Sequence, residues 1–393
     1  MAAATVRPDA ITLALPILLL HLIGLPAALL VSIRALARLI ETPRWLAKRR
    51  GSGNGEEAPH PLLVFVPAPS AAPPVKARTT FGLRGQNPDR FGGASATEHL
   101  TNCPRGCPCS LPMNYRHAFH AGNFADVVKH ALLARIIAYL KKKEAAFRVI
   151  DTHSGAGMTD LHGDEARRGG EWHDGIGRVW QHAFKPNVSA LLEPYLSAVA
   201  AYNQADAITR YPGSPLLIRQ WLRPQDRLIA CELEPGAARA LARNMHDDAR
   251  IKTIAIDGWT ALNAYIPPKE KRGLVLIDPP YEQDNELRRA ADALRAAHRK
   301  WSGGTIALWY PVKDPREIAR FTRQLTELQL AKSLQIQLSR IAVSGTKLRG
   351  TGLVVVNAPW TLQEEAQILL PALASVLWPG ERSEIRITTI SSH

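Results

Sequence analysis

Asp278-Pro-Pro-Tyr281 is the segment of this chain best equipped for chemistry, because it follows an apolar run and presents fixed hydrogen-bond acceptors. Two successive prolines restrict the backbone and remove two N–H donors, which leaves outward carbonyls as acceptors. An amino group needs such acceptors: Asp278 takes one of its hydrogens and the Pro279 carbonyl takes the other. The nitrogen lone pair is then pulled out of conjugation and aimed at a methyl donor, while Tyr281 is suited to stack on a flat base.

Three further polar signatures end apolar runs: Asp151-Thr-His-Ser-Gly-Ala-Gly157, Glu232, and Asp257-Gly258. Gly155 and Gly157 let the backbone approach a ligand closely, and a carboxylate ending the next strand, Glu232, is placed to accept from ribose hydroxyls. The first loop lacks the full G-x-G-x-x-G pattern, so taken alone it is equally a tight strand-to-helix turn. Open α/β sheets bind ligands beyond the carboxyl ends of their strands, and all four signatures are therefore expected to converge.

The elements that must position them are legible as short apolar runs at 147–150, 228–231, 251–256, 274–277, 305–309, 334–341 and 353–356, separated by segments of helical composition. That alternation predicts an α/β fold with a mostly parallel, seven-stranded sheet. Before the first run, Asn123 is suited to cap an amphipathic helix whose apolar positions Val127, Val128, Ala131, Leu132, Ile136 and Leu140 recur at three and four. The stretch at about 158–225 is too long for one crossover helix and predicts a helical insertion after the first strand.

Lys and Arg total 49 against 35 Asp and Glu, a net charge of +14, which favours a polyanionic partner. The portion from Met113 onward is basic by itself, with 37 basic and 29 acidic residues. Residues 10–33 carry no charge and are long enough to span a bilayer, although Pro16, Pro26 and His21 weaken that reading. Arg34, Arg38, Arg44, Lys48, Arg49 and Arg50 follow and would hold the rest of the chain in the cytoplasm, free or tethered. Residues 51–112 read as linker, and the whole of 1–112 is equally readable as sequence upstream of a true start at Met113. Cys103, Cys107 and Cys109 lack paired C-x-x-C spacing, so no metal is expected.

From Met113 to about Trp378 the chain resembles the RlmJ family of bacterial adenine-N6 methyltransferases of 23S ribosomal RNA. The resemblance rests on Tyr115-Arg-His-Ala-Phe-His-Ala-Gly-Asn-Phe-Ala-Asp-Val-Val-Lys-His130, the Asp151–Gly157 loop, Tyr211-Pro-Gly-Ser-Pro215, Asp278-Pro-Pro-Tyr281 and Leu308-Trp-Tyr-Pro311. It implies a class I, Rossmann-like methyltransferase domain over 113–393 that uses S-adenosylmethionine and acts as a monomer on ribosomal RNA. It further implies that His130, His153, Ser214, Glu232, Asp257 and Gly258 contact the cofactor and that Asp278 is the catalytic carboxylate. Tyr115 and His117, with Lys129 beside the site, match the family's substrate-handling residues.

The target base must leave its stack to reach such a pocket, and Arg116, Lys129, Lys347 and Arg349 are candidates to hold its phosphates. Asp-Pro-Pro-Tyr does not read the sugar, so a DNA adenine-N6 or cytosine-N4 methyltransferase is an alternative. A membrane-anchored RNA-binding protein without activity is another, against which the intact Asp278, Glu232 and Gly157 count.

Overall fold

The computed structural model describes residues 119–390 apart from 205–206, 283–284, 331 and 342–347. The expectations for 10–33, for the 51–112 linker, for the clustered cysteines, and for Tyr115, Arg116, His117 and Lys347 lie outside the described residues.

Alternating side chains build the central sheet. Val149, Leu228, Ala230, Leu274 and Leu276 enter one buried cluster. Their chain neighbours Ile150, Ile229, Cys231, Val275 and Ile277 enter a second. Strands apolar on both faces must be covered on both, which is why helices lie on either side. The strands are β1 (Arg148–Asp151), β4 (Arg227–Glu232), β5 (Ile251–Ala255), β6 (Gly273–Ile277), β7 (Thr305–Val312), β8 (Leu334–Arg340), β9 (Gly350–Val356) and β10 (Ser383–Thr389). They form an eight-stranded sheet in the order β10-β8-β9-β7-β6-β1-β4-β5. β5, β4, β1, β6 and β7 run parallel, whereas β9, β8 and β10 join antiparallel.

The eighth strand, β10, is absent from the expected set because its sequence, SEIRITT, is polar and half exposed. It lacks an apolar run since it pairs along the free edge of β8 and buries little.

Between β1 and β4 the chain forms β2 (Met158–Asp160), α2 (Asp164–Gly169), α3 (Ile176–Val179), α4 (Pro186–Ala200), β3 (Arg210–Pro212) and α5 (Ser214–Trp221). β2 and β3 make a separate two-stranded antiparallel ribbon. The remaining helices are α6 (Pro235–Met245), α7 (Gly258–Tyr265), α8 (Glu286–Lys300), α9 (Pro315–Glu327) and α10 (Leu362–Leu377).

The first helix, α1 (Phe124–Lys141), begins where expected, with the Asn123 side chain accepting from the N–H groups of Ala125 and Asp126. It is not the surface amphipath that its spacing suggests. Asp126, Lys129 and His130 are buried along with its apolar residues, because α1 is packed among α4, α5, α10 and β9 with Lys129 turned toward Asp278 and Trp309. The consequence is functional, since two charged side chains are carried into the interior beside the carboxyl ends of the parallel strands.

Tyr310 of β7 and Gly352 of β9 are register partners, and a Cβ at Gly352 would run into the Tyr310 ring. Tyr310 is fully buried and cannot swing aside. Gly352→Ala is therefore expected to lower stability by about 1–3 kcal/mol, read as a shift in the urea midpoint.

Candidate active site

The chain runs from β1 outward to β4 and β5, then returns to add β6 and β7 on the other side of β1. Connections leave the β1 and β6 ends in opposite directions, which opens a crevice at that point. Asp151 is in register with Ala230 on one side and Leu276 on the other. His153 and Asp278 follow just beyond the ends of β1 and β6, and Glu232 ends β4.

Hydrogen bonds fasten the β1 loop to both neighbours. Thr152 donates from its N–H and its hydroxyl to the Leu276 carbonyl, each at 3.0 Å, and Ser154 N–H donates to the Cys231 carbonyl at 2.8 Å. Glu232 is held by the N–H groups of Gly155 at 2.8 Å and Glu234 at 2.9 Å. Gly155 and Gly157 have φ of 62° and 84°, the left-handed region that favours glycine. The position where a Gly155 Cβ would sit has nothing within 4 Å, so the loop faces open space.

Asp278 enters this crevice tied to α1. Lys129 Nζ lies 2.5 Å from Asp278 Oδ2 and 2.8 Å from Asp126 Oδ1, and 5.5 Å from the centre of the Trp309 ring. Lys129 and Asp126 are each 4% exposed and Asp278 11%. Burial alone pushes the Lys129 pKa down, but the two carboxylates outweigh it and the net shift is upward, so the ammonium stays charged. Asp126 also accepts from Gly122 N–H at 2.9 Å, which ties the turn before α1 to the same network. Among the described residues nothing hydrogen-bonds to Asp278 Oδ1 or to the Pro279 carbonyl, which leaves both as acceptors. Tyr281 is pinned by its hydroxyl to the Trp309 carbonyl at 2.6 Å and meets the Trp309 ring edge-on.

Behind the crevice, burial raises the Asp151 carboxyl from its ordinary 3.8 to about 7, the Asp278 charge adds to the rise, and a 2.7 Å hydrogen bond from Ser214 opposes it. Asp151 Oδ1 is buried with no hydrogen-bond partner among the described residues. Burial lowers the His153 pKa to about 4 against the upward pull of Asp278 and Asp257, so the imidazole is neutral near pH 7. A Cβ at Gly258 would collide with the His153 ring and the Thr152 carbonyl, and glycine there lets α7 come close. Asp257 caps α7 by accepting from Thr260 N–H at 2.8 Å.

The four sequence signatures thus meet, and Lys129 and Ser214 join them. Lys129 is enclosed by two carboxylates and is not exposed for a phosphate. The Arg349 guanidinium is likewise committed, donating to the Arg340 and Ile341 carbonyls. His130 bonds to the Tyr211 hydroxyl at 2.7 Å, and that hydroxyl lies 3.0 Å from Tyr195 Oη. Sequence reasoning assigned no role to Asp126, Asp151 or Trp309. Asp126 was findable, since an acid three residues before Lys129 shares its helix face; Trp309 was not, because strand pairing alone brings it near.

The Asp151, Glu232, Asp257 and Asp278 positions all fall within residues 144–388, which match the family model for ribosomal RNA large subunit methyltransferase D, RlmJ. The chain belongs to this family. It is 37% identical over 279 residues to ribosomal RNA large subunit methyltransferase J of Escherichia coli K12, covering 71% of this chain and 99% of that one. It is 38% identical over 269 residues to the methyltransferase J of Haemophilus influenzae, covering 68% and 95%. The crystal structure of protein LPL1258 from Legionella pneumophila is similar at a TM-score of 0.64 and 35% identity, over 69% of this chain and 98% of that one.

In this RlmJ-family site the raised Asp151 pKa has a defined sign. The folded state holds its proton more tightly than the unfolded chain, so its contribution to stability is complete below about pH 4 and is lost as pH rises through 7. Asp151→Asn is expected to gain stability relative to the parent between pH 4 and pH 8, on the order of 4 kcal/mol. Urea unfolding of both proteins at the two pH values checks it, and parallel curves would remove the assignment.

Proposed function

We propose that this chain transfers the methyl group of S-adenosylmethionine to the exocyclic amine of an adenine in 23S ribosomal RNA, as a monomer in the cytoplasm. The observation that carries the reading is the pair of unengaged acceptors, Asp278 Oδ1 and the Pro279 carbonyl, beside a glycine loop and a backbone-held Glu232. Membership of a family whose relatives are named ribosomal RNA large subunit methyltransferase J supports the choice of substrate.

The residues fit the cofactor. Gly155 faces open space, Glu232 keeps lone pairs for ribose hydroxyls, and the buried Asp151 Oδ1 is left without a protein partner among the described residues. Gly157, His153, Ser214, Asp257, Gly258 and His130 complete the proposed cofactor set. When bound, S-adenosylmethionine supplies a methyl group on a sulfonium, which already has a good leaving group.

The chain's own work is then positional. Lys129 fixes Asp278 Oδ2, which leaves Oδ1 for one amine hydrogen while the Pro279 carbonyl takes the other. Those acceptors stabilise positive charge developing on nitrogen, and the proton is later lost to water. Tyr281, braced by Trp309, forms a wall against the flipped base. Tyr115 and His117 are assigned to substrate handling, 113–393 to the catalytic domain, and 158–225 to its helical insertion.

Asp278→Ala is expected to cut methyl transfer at least about 100-fold while cofactor affinity stays within about 2-fold. Radiolabelled transfer to deproteinised ribosomal RNA, with duplex DNA alongside, and calorimetric titration of S-adenosylmethionine read the two effects. Near-parental turnover by the variant, or preference for DNA, would overturn the assignment.

A further inference from the structure

A second feature of the molecule lies outside the crevice. α1 starts beside Asp278 and ends at Lys141, and Lys129 and Lys142 are roughly 20 Å apart along its axis at about 1.5 Å per residue. At that far end Lys141, Lys142 and Lys143 are all exposed, and among the described residues none of them forms an ion pair. The following loop is not left to wander. Arg223 donates to the Lys143 and Ala145 carbonyls at 2.9 and 3.2 Å, and Arg272 donates to the Ala145 carbonyl at 2.6 Å and to that of Leu140. The same two guanidiniums lie 5.5 and 5.8 Å from the Phe147 ring. Glu144 is the single acid in the loop between α1 and β1.

Trp360 stands next to this cluster, in the connection between β9 and α10, and is 75% exposed. Lys142 sits 5.4 Å from the Tyr139 ring and 5.7 Å from that of Trp360. An indole so exposed has no packing reason to be there, whereas an open ring beside Lys142, with its chain neighbours Lys141 and Lys143 exposed, suits a phosphate backbone and an unstacked base.

We infer that Lys141, Lys142, Lys143 and Trp360 form a second RNA-contact surface, which grips a part of the substrate remote from the methylated adenine. This inference rests on the functional reading above and adds to it a recognition surface for extended RNA. Charge complementarity and ring stacking favour RNA over a protein partner.

The full chain is assayed with two RNAs carrying the same mapped adenine, a 23S ribosomal RNA fragment several helices long and a short hairpin. The parent is expected to show the lower KM on the long RNA. Trp360→Ala, and separately Lys141→Gln, Lys142→Gln and Lys143→Gln combined, should each raise that KM about 5-fold or more. Neither should alter kcat or the hairpin KM, and Trp360→Phe should restore most of the lost affinity. The triple variant should also flatten the dependence of long-RNA affinity on salt. Unchanged KM on the long RNA, as a protein-binding surface would give, overturns the inference, and so does equal impairment on both RNAs. A parent that methylates neither RNA overturns the functional reading instead.

Discussion

The Lys129 ammonium sits between Asp126 and Asp278 with almost no access to solvent, and much of the architecture exists to keep it there. A buried charge is tolerated only when it is paired and hydrogen-bonded, and removing one partner of such a pair typically costs about 3–5 kcal/mol. The network obeys that constraint by using two carboxylates for one cation, one from the same helix and one from the tip of β6. It therefore crosslinks α1 to the sheet at Asp278, the residue proposed to accept from the amine. The burial of these charges excludes water and keeps the electrostatic coupling strong. Asp126 reaches further, to Gly122 N–H, so the backbone entering α1 is held by the same charges.

Sheet topology supplies the other half of the arrangement. β1 lies between β4 and β6, and pairing in register with both brings the ends of these strands together, with His153, Glu232 and Asp278 at or just beyond them. The loop after β1 is then stitched to β4 through Ser154 and to β6 through Thr152. Glycine is required in this region for two distinct reasons. Gly155 and Gly157 adopt positive φ, whereas Gly258 is needed because α7 approaches the His153 ring too closely for a side chain.

The distribution of charge follows the same division. The protein as a whole is basic, with a net charge of +14, yet the crevice gathers Glu232, Asp257 and Asp278, with Asp151 buried behind it. An acidic pocket in a basic body is suited to two ligands of opposite sign, a sulfonium cofactor inside and a polyanion held outside. Lys129 is not available to phosphate, since its charge is balanced within the pocket, while the lysines proposed to meet RNA stand on the exterior.

Much of this was legible in the linear chain. Apolar runs located seven of the main sheet's eight strands, though not the short β2 and β3, because a strand buried on both faces must be apolar on both. Asn123 marked the start of α1 because an unsatisfied helix N-terminus needs a side-chain acceptor. The double proline after a buried run announced rigid acceptors, and the order of the motifs matched one family. The polar edge strand β10 was hidden because it buries too little to leave a pattern. The burial of Asp126 and Lys129 was decided only by tertiary structure, since helix periodicity records which face is apolar and not how many neighbours enclose it. The partnership of Lys129 with Asp278, 149 positions apart, likewise depends on strand order, a long-range pairing that no local spacing encodes.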